Sequence, residues 1–166
     1  LPASLLKIQN FFKDAPYEIE VLVIVERSSD GTLDIARKAV NGDSRFQIVD
    51  NLVHRGKGYA VRSGMLKASG DIIIFMDTDL STPLSEVPRF VDYLSKSPGT
   101  AVAIGSRSSK DSQVLKKQNP VRVAMGKTFN KFVQVFGVPG IIDTQCGFKA
   151  FRKKAALEIF RRQKID

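Results

Sequence analysis

Asp77 and Asp79 stand one residue apart at the end of the apolar run Ile72–Met76. Two carboxylates so spaced at a strand end can lie on the same side of a turn. Hard oxygen ligands of that kind hold Mg²⁺ or Mn²⁺ together with substrate phosphates. A metal that bridges a diphosphate also makes it a better leaving group. Taken alone, the pair equally describes a helix cap or a solvated turn. Its place after a buried strand and before Ser81, Thr82 and Pro83 favours chemistry.

A second polar cluster, Glu26 to Thr32, follows the run Glu20–Val25. Glu26, Ser28 and Asp30 can hydrogen-bond a base or ribose, while Asp30, Gly31 and Thr32 also spell an ordinary turn and helix start. A third stretch, His54–Gly58, combines flexible backbone with cations and suits a phosphate, but lacks the spacing of a Walker loop. His54 is the only histidine and Cys146 the only cysteine. Histidine metal clusters, serine-hydrolase triads and disulfide scaffolds are therefore excluded, and Cys146 reads as a small buried residue.

These residues need a frame, and the apolar runs supply one. Glu20–Val25, Ile72–Met76 and Ala101–Gly105, with a weaker run at Phe46–Val49, are short, rich in Val and Ile, and not alternating. That is how strands buried on both faces of a parallel sheet read. Helical spacing occupies the opening segment through Phe12, then Thr32–Val40, Gly58–Ala68, Leu84–Ser95, Val121–Phe136 and Lys153–Arg162. The alternation predicts an α/β fold, in which ligands bind beyond the carboxyl ends of the strands. A polar, basic loop is expected over Ser106–Asn119.

With 166 residues, 43% hydrophobic and 26% charged, the chain is long enough for one domain with a real core. Its net charge of +9 predicts attraction to phosphates. Lys149, Arg152, Lys153, Lys154, Arg161, Arg162 and Lys164 crowd the C-terminal end, and this stripe suggests a surface more than a pocket. Nucleic-acid binding rests on the charge alone and leaves Asp77 and Asp79 without a role, so no nucleic-acid partner is expected. A phosphoacceptor receiver domain fits the Asp77–Thr78–Asp79 spacing poorly. No apolar run is long enough to span a bilayer.

Five motifs occur in order: Val25 to Thr32, Arg55 to Met65, Ile74 to Pro83, Gly105–Ser106–Arg107, and Asp143 to Lys149. Together they resemble the family-two glycosyltransferases of GT-A fold, and within that family the dolichyl-phosphate (polyprenyl-phosphate) glucose and mannose synthases. The resemblance covers nearly the whole chain. It implies a single GT-A domain over 1–166, a Rossmann-like, mostly parallel sheet flanked by helices. Because Leu1 falls inside a helix, the first strand usual in the family is expected to be missing, and truncation at the C-terminus stays open.

The same resemblance implies roles. Asp77 and Asp79 form the metal-binding pair, with Asp79 the direct ligand, Asp77 on ribose or metal, and Ser81 a further metal neighbour; the cofactor is Mg²⁺ or Mn²⁺. Glu26, Ser28, Asp30 and Lys57 serve the nucleotide sugar, although the family usually carries two consecutive aspartates where this chain has Val25 and Glu26. Arg107, Arg122 and Gln145 hold the acceptor phosphate, and Asp143, Thr144 and Gln145 close the sugar and acceptor end. The expected reaction is inverting transfer of a hexose, UDP-glucose being the favoured donor, to a polyprenyl or dolichyl phosphate. A lipid phosphate is already an anion, so positioning and charge stabilisation by groups such as Arg107 suffice without a general base. The alternatives are a family-two transferase acting on a saccharide or other alcohol, for which Asp143 is the candidate base, and an inactive nucleotide-sugar-binding fragment. The basic stripe and the Val121–Phe136 helix are expected at the cytoplasmic face of a membrane, held peripherally; a core helix is the other reading of Val121–Phe136.

Overall fold

A computed structural model describes residues 1–106, 143 and 145–164. Five helices and five strands are defined in it. Chain order is α1 (Pro2–Phe11), β1 (Val21–Glu26), α2 (Thr32–Ala39), β2 (Phe46–Asn51), α3 (Lys57–Lys67), β3 (Ile72–Met76), α4 (Glu86–Lys96), β4 (Val102–Ile104), β5 (Phe148–Arg152) and α5 (Lys153–Arg162). The expected α/β alternation is present, and its boundaries fall within a residue or two of the sequence reading. The helix of Val121–Phe136, most of the Ser106–Asn119 loop, and Arg107 and Arg122 lie outside the described residues.

Local sequence accounts for the elements. Pro2 sits in the first turn of α1, where its missing N–H costs nothing. Gly31 opens α2 with φ of +74°, a left-handed conformation that a glycine adopts without strain. Helices α4 and α5 each bury one stripe, Val87 and Leu94 in the former and Ala156 and Phe160 in the latter.

The strands form two ladders among the described residues. β1 and β2 run parallel from Val21 beside Phe46 to Glu26 beside Asn51, so their carboxyl ends coincide. β5 lies between β3 and β4 and runs antiparallel to both, pairing Met76 with Phe148, Phe75 with Lys149 and Ile104 with Lys149. Helix α3 packs on β1 and also touches β2, β3 and α5. The sequence reading contains no strand at Phe148–Arg152. Lys149 and Arg152 break the apolar run there, yet β5 is buried from both sides. Phe148 packs with Phe12, Val87 and Cys146, and Phe151 packs with Met65, Ile73 and Phe160. At about 25 cal/mol per Å² of apolar surface, each such aromatic contributes a few kcal/mol.

The basic stripe also needs correction. Arg152 is a structural residue: its guanidinium donates to the carbonyls of Leu94, Ser97 and Thr100, joining β5 to the end of α4. Lys153 donates to the carbonyl of Ser69 at 2.7 Å, and Arg162 pairs with Glu158 at 3.0 Å. Lys149 points inward, as described below. Lys154, Arg161 and Lys164 are exposed. No described helix is long and apolar enough to cross a membrane.

Candidate functional site

Asp77 follows the last residue of β3, and the chain then turns sharply. The N–H of Leu80 donates to the Asp77 carbonyl at 3.0 Å. Leu80 itself takes φ of +53°, a left-handed conformation rare for a residue with a branched side chain. Strain of this kind, of order 1–3 kcal/mol, is retained where a constellation must be held. The turn is completed by the N–H of Ser81, which donates to Oδ1 of Asp79 at 3.0 Å. Asp79 and Ser81 are exposed, while Asp77 is half-buried.

The Asp77 carboxylate has two neighbours that sequence spacing could not place. Lys57, the first residue of α3, donates its Nζ to Oδ1 of Asp77 at 2.6 Å. Gly147, one residue ahead of β5, lies directly against the same carboxyl group. A Cβ added there would sit 2.6 Å from Asp77 Cγ and 3.0 Å from Oδ1. The antiparallel register of β3 and β5, with Met76 beside Phe148, produces this approach.

Lys149 is the next residue inward. Its Nζ donates to the carbonyl of Cys146 at 2.6 Å and lies 5.3 Å from the centroid of the Phe75 ring. Burial holds the Lys149 ammonium below the usual lysine range; the Cys146 thiol and the carboxylates of Asp143 and Asp77 work against that shift, and the charge of Lys57 adds to it. Asp143 is 3% exposed, and its Oδ1 accepts the N–H of Gln145 at 3.2 Å. Cys146 is buried in the apolar cluster around Phe148, as a small core residue should be. Asp77, Lys57, Lys149 and Asp143 thus form one mixed-charge group. Of these, Lys149 is not among the site residues expected from sequence, where it stands only in the Asp143–Lys149 motif and in the C-terminal basic stripe.

The β1–β2 end is built differently. Glu26 accepts the N–H of Arg55 at 3.3 Å and faces Nδ1 of His54 at 3.1 Å, which ties the end of β1 to the loop leading into α3. Asn51, beside Glu26 and 7% exposed, accepts the Ser63 hydroxyl through its Oδ1 at 2.9 Å. Its Nδ2 is buried without a partner among the described residues. Ser28 and Asp30 bond within their own turn: the hydroxyl and N–H of Thr32 donate to Oδ1 of Asp30 at 2.6 and 3.0 Å. Those bonds, led by the Thr32 hydroxyl and then Ser28, lower the Asp30 carboxyl to about 2.

The two clusters therefore occupy the carboxyl ends of β1, β2 and β3, where an α/β sheet binds ligands. Asp77 and Asp79 offer oxygen donors of the type a hard divalent ion takes, and among the described residues no group of three or more His, Cys, Asp or Glu gathers around them. Such an ion keeps its other positions for water and phosphate oxygens.

Known proteins resemble this chain in sequence and in fold. The glycosyl transferase family 2 model matches residues 1–160. A dolichyl-phosphate beta-glucosyltransferase of Saccharomyces cerevisiae is 33% identical over 156 residues, covering 85% of this chain and 47% of that protein. The human protein of the same name is 30% identical over 154 residues, covering 89% of this chain and 48% of its own length. The chain thus spans about half the length of the curated relatives it matches. Among solved structures, a mannosyltransferase from Pyrobaculum calidifontis in complex with GDP-Man and Mn²⁺ superposes with a TM-score of 0.59 at 17% identity, covering 93% of this chain and 42% of that one. The fold is accordingly GT-A, with a parallel and an antiparallel ladder flanked by helices among the described residues, and the chain belongs to glycosyl transferase family 2.

Proposed function

We propose that this chain binds a nucleotide diphosphate sugar and takes part in inverting transfer of a hexose, glucose from UDP-glucose, to dolichyl or another polyprenyl phosphate. The observation that carries the reading is the pair Asp77 and Asp79 at the end of β3, with the Lys57 ammonium 2.6 Å from Asp77. The names of the relatives support the lipid acceptor and the glucose. Asp77 and Asp79, with Ser81 beside them, would hold Mg²⁺ or Mn²⁺, which when bound neutralises the charge developing on the leaving diphosphate.

The chain's own residues do the rest. Glu26, with Ser28 and Asp30 on the following turn, receives the nucleoside, and Lys57, while bonded to Asp77, keeps further ammonium donors for a phosphate oxygen. A phosphate oxygen of the lipid attacks the anomeric carbon from the face opposite the departing nucleoside diphosphate. The carbon–oxygen bond to the diphosphate breaks, and configuration inverts. No proton has to be removed from the acceptor, so the reaction asks for cations at the acceptor end. Arg107 and Arg122, with Gln145, are assigned to that task, because a guanidinium matches a phosphate bidentately. The acceptor's lipid tail supports work at a membrane surface, which we assign to the cytoplasmic face.

Calorimetric titration of UDP-glucose and of GDP-mannose, with and without Mn²⁺, on the wild-type chain and Asp79→Ala, tests the donor side. Metal-dependent binding of UDP-glucose that Asp79→Ala abolishes is expected; binding indifferent to both metal and Asp79 would overturn the reading. Transfer to dolichyl phosphate that survives Asp143→Asn is expected, whereas transfer to an alcohol acceptor would be lost.

A further inference from the structure

Glycine 147 has no side chain, and the space a side chain would need is filled by the Asp77 carboxyl group. The three heavy atoms nearest to a Cβ built on Gly147 all belong to that group: Oδ2, then Cγ at 2.6 Å and Oδ1 at 3.0 Å. Backbone carbonyls and core side chains are not among them. The conformation of Gly147 is outside the left-handed region that other residues avoid, so its backbone alone does not demand glycine. The requirement comes from a neighbour seventy positions earlier in the chain.

We propose that Gly147 is a positioning residue that seats Asp77: its bare Cα leaves the space the carboxyl group fills while the Lys57 ammonium holds Oδ1, so that the Asp77 carboxylate is kept in one orientation. Lys57 grips Oδ1 at 2.6 Å. The carboxylate is thereby in contact with both a cation and a backbone surface. The β3–β5 register, with Met76 beside Phe148, holds that surface in place. A methyl group at position 147 would have to expel the carboxylate toward solvent, since the β5 backbone is fixed by ladders on both edges and by Phe148 in the core. The significance for metal binding rests on the reading of Asp77 and Asp79 given above; the seating of Asp77 does not.

A double-mutant cycle on the full chain separates these two layers. Wild type, Gly147→Ala, Asp77→Ala and the double variant are compared by chemical denaturation and by calorimetric titration of UDP-glucose with and without Mn²⁺. In the wild-type background Gly147→Ala should lower the unfolding midpoint. In the Asp77→Ala background it should leave the midpoint unchanged or raise it, as an alanine does where the backbone permits one. Gly147→Ala should also raise the apparent Kd for UDP-glucose in Mn²⁺ about tenfold or more, in the range of lost ligand-orienting contacts, and leave metal-free binding as it was. A general packing defect would weaken both. Equal midpoint shifts in the two backgrounds would overturn the proposal, because the methyl would then be clashing with something other than Asp77. Should Gly147→Ala fail to fold, a well-folded double variant supports the seating and a misfolded one overturns it. If wild type shows no metal-dependent binding at all, the metal reading of the site fails, and the stability cycle still decides the role of Gly147.

Discussion

The two halves of the site are held by different kinds of contact. At the β1–β2 end, Glu26, Ser28 and Asp30 are placed by a parallel ladder and by turns whose bonds span a few residues, as in Asp30 with Thr32. At the β3 end, Asp77 is placed by Lys57 from α3 and Gly147 from the far side of the chain, and Lys149 is carried in on an antiparallel strand. The first arrangement tolerates change because Asp30 is bonded within its own exposed turn and the Glu26 contacts to Arg55 and His54 lie at the surface. The second is an assembly of distant pieces, in which one displaced element disturbs every charge.

The largest expected effect tests that contrast directly. Phe148 is fully buried and stacks edge-on with Phe90 at 4.8 Å, so Phe148→Ala should cost about 3–5 kcal/mol. Hydrogen exchange should accelerate more in Ile72–Met76 than in Val21–Glu26; equal acceleration would mean that the two ladders unfold as one unit. Next, Asp79→Ala should reduce hexose transfer on the order of 100-fold or more, the scale for losing one group that stabilises developing charge, with the melting temperature nearly unchanged because Asp79 is exposed.

A smaller effect belongs to the outer edge of the first region. The Arg45 guanidinium, donating to Asp43 and also to the carbonyls of Phe12 and Gln9, ties α1 to the start of β2 and lowers the Asp43 carboxyl to about 2. A lowered carboxyl adds stability that is complete above its ordinary value of 3.8 and is lost as pH falls toward 2. Asp43→Asn should therefore flatten the acid limb of a melting-temperature profile over that window and lower the plateau by a few degrees, roughly the shift that about 1 kcal/mol gives a chain of this size. Smallest of all, Asp30→Asn should leave stability within measurement error, since Asp30 is fully exposed. A clear loss there would erase the distinction between the tolerant end and the interlocked one.

The same distinction explains what the sequence made legible. Apolar runs bounded by turns marked β1 to β4, and 3.6-residue spacing marked the helices, because those signals lie within a few residues of one another. The carboxylate pair was readable for the same reason: Asp77 and Asp79 share one turn after one strand. β5 was not, since Lys149 and Arg152 interrupt its apolar pattern and find their partners in Cys146, Leu94, Ser97 and Thr100 only once the chain is folded. The inward-facing lysine and the glycine against Asp77 are consequences of strand register, and register is a relation between segments. Arg152 and Lys149, counted by charge as parts of an exposed stripe, are internal fasteners for that reason.

The placement of β5 has a kinetic corollary. β1 can find β2 across a single helix, but β3 must wait through α4, β4 and the long segment after it before its ladder partner exists. Loop closure of that length slows folding, and contacts distant in sequence form late. During synthesis the half of the molecule around Glu26 can be ordered while Asp77 still sits on an unpaired edge, so the surroundings of Asp77 would be completed only after β5 has emerged.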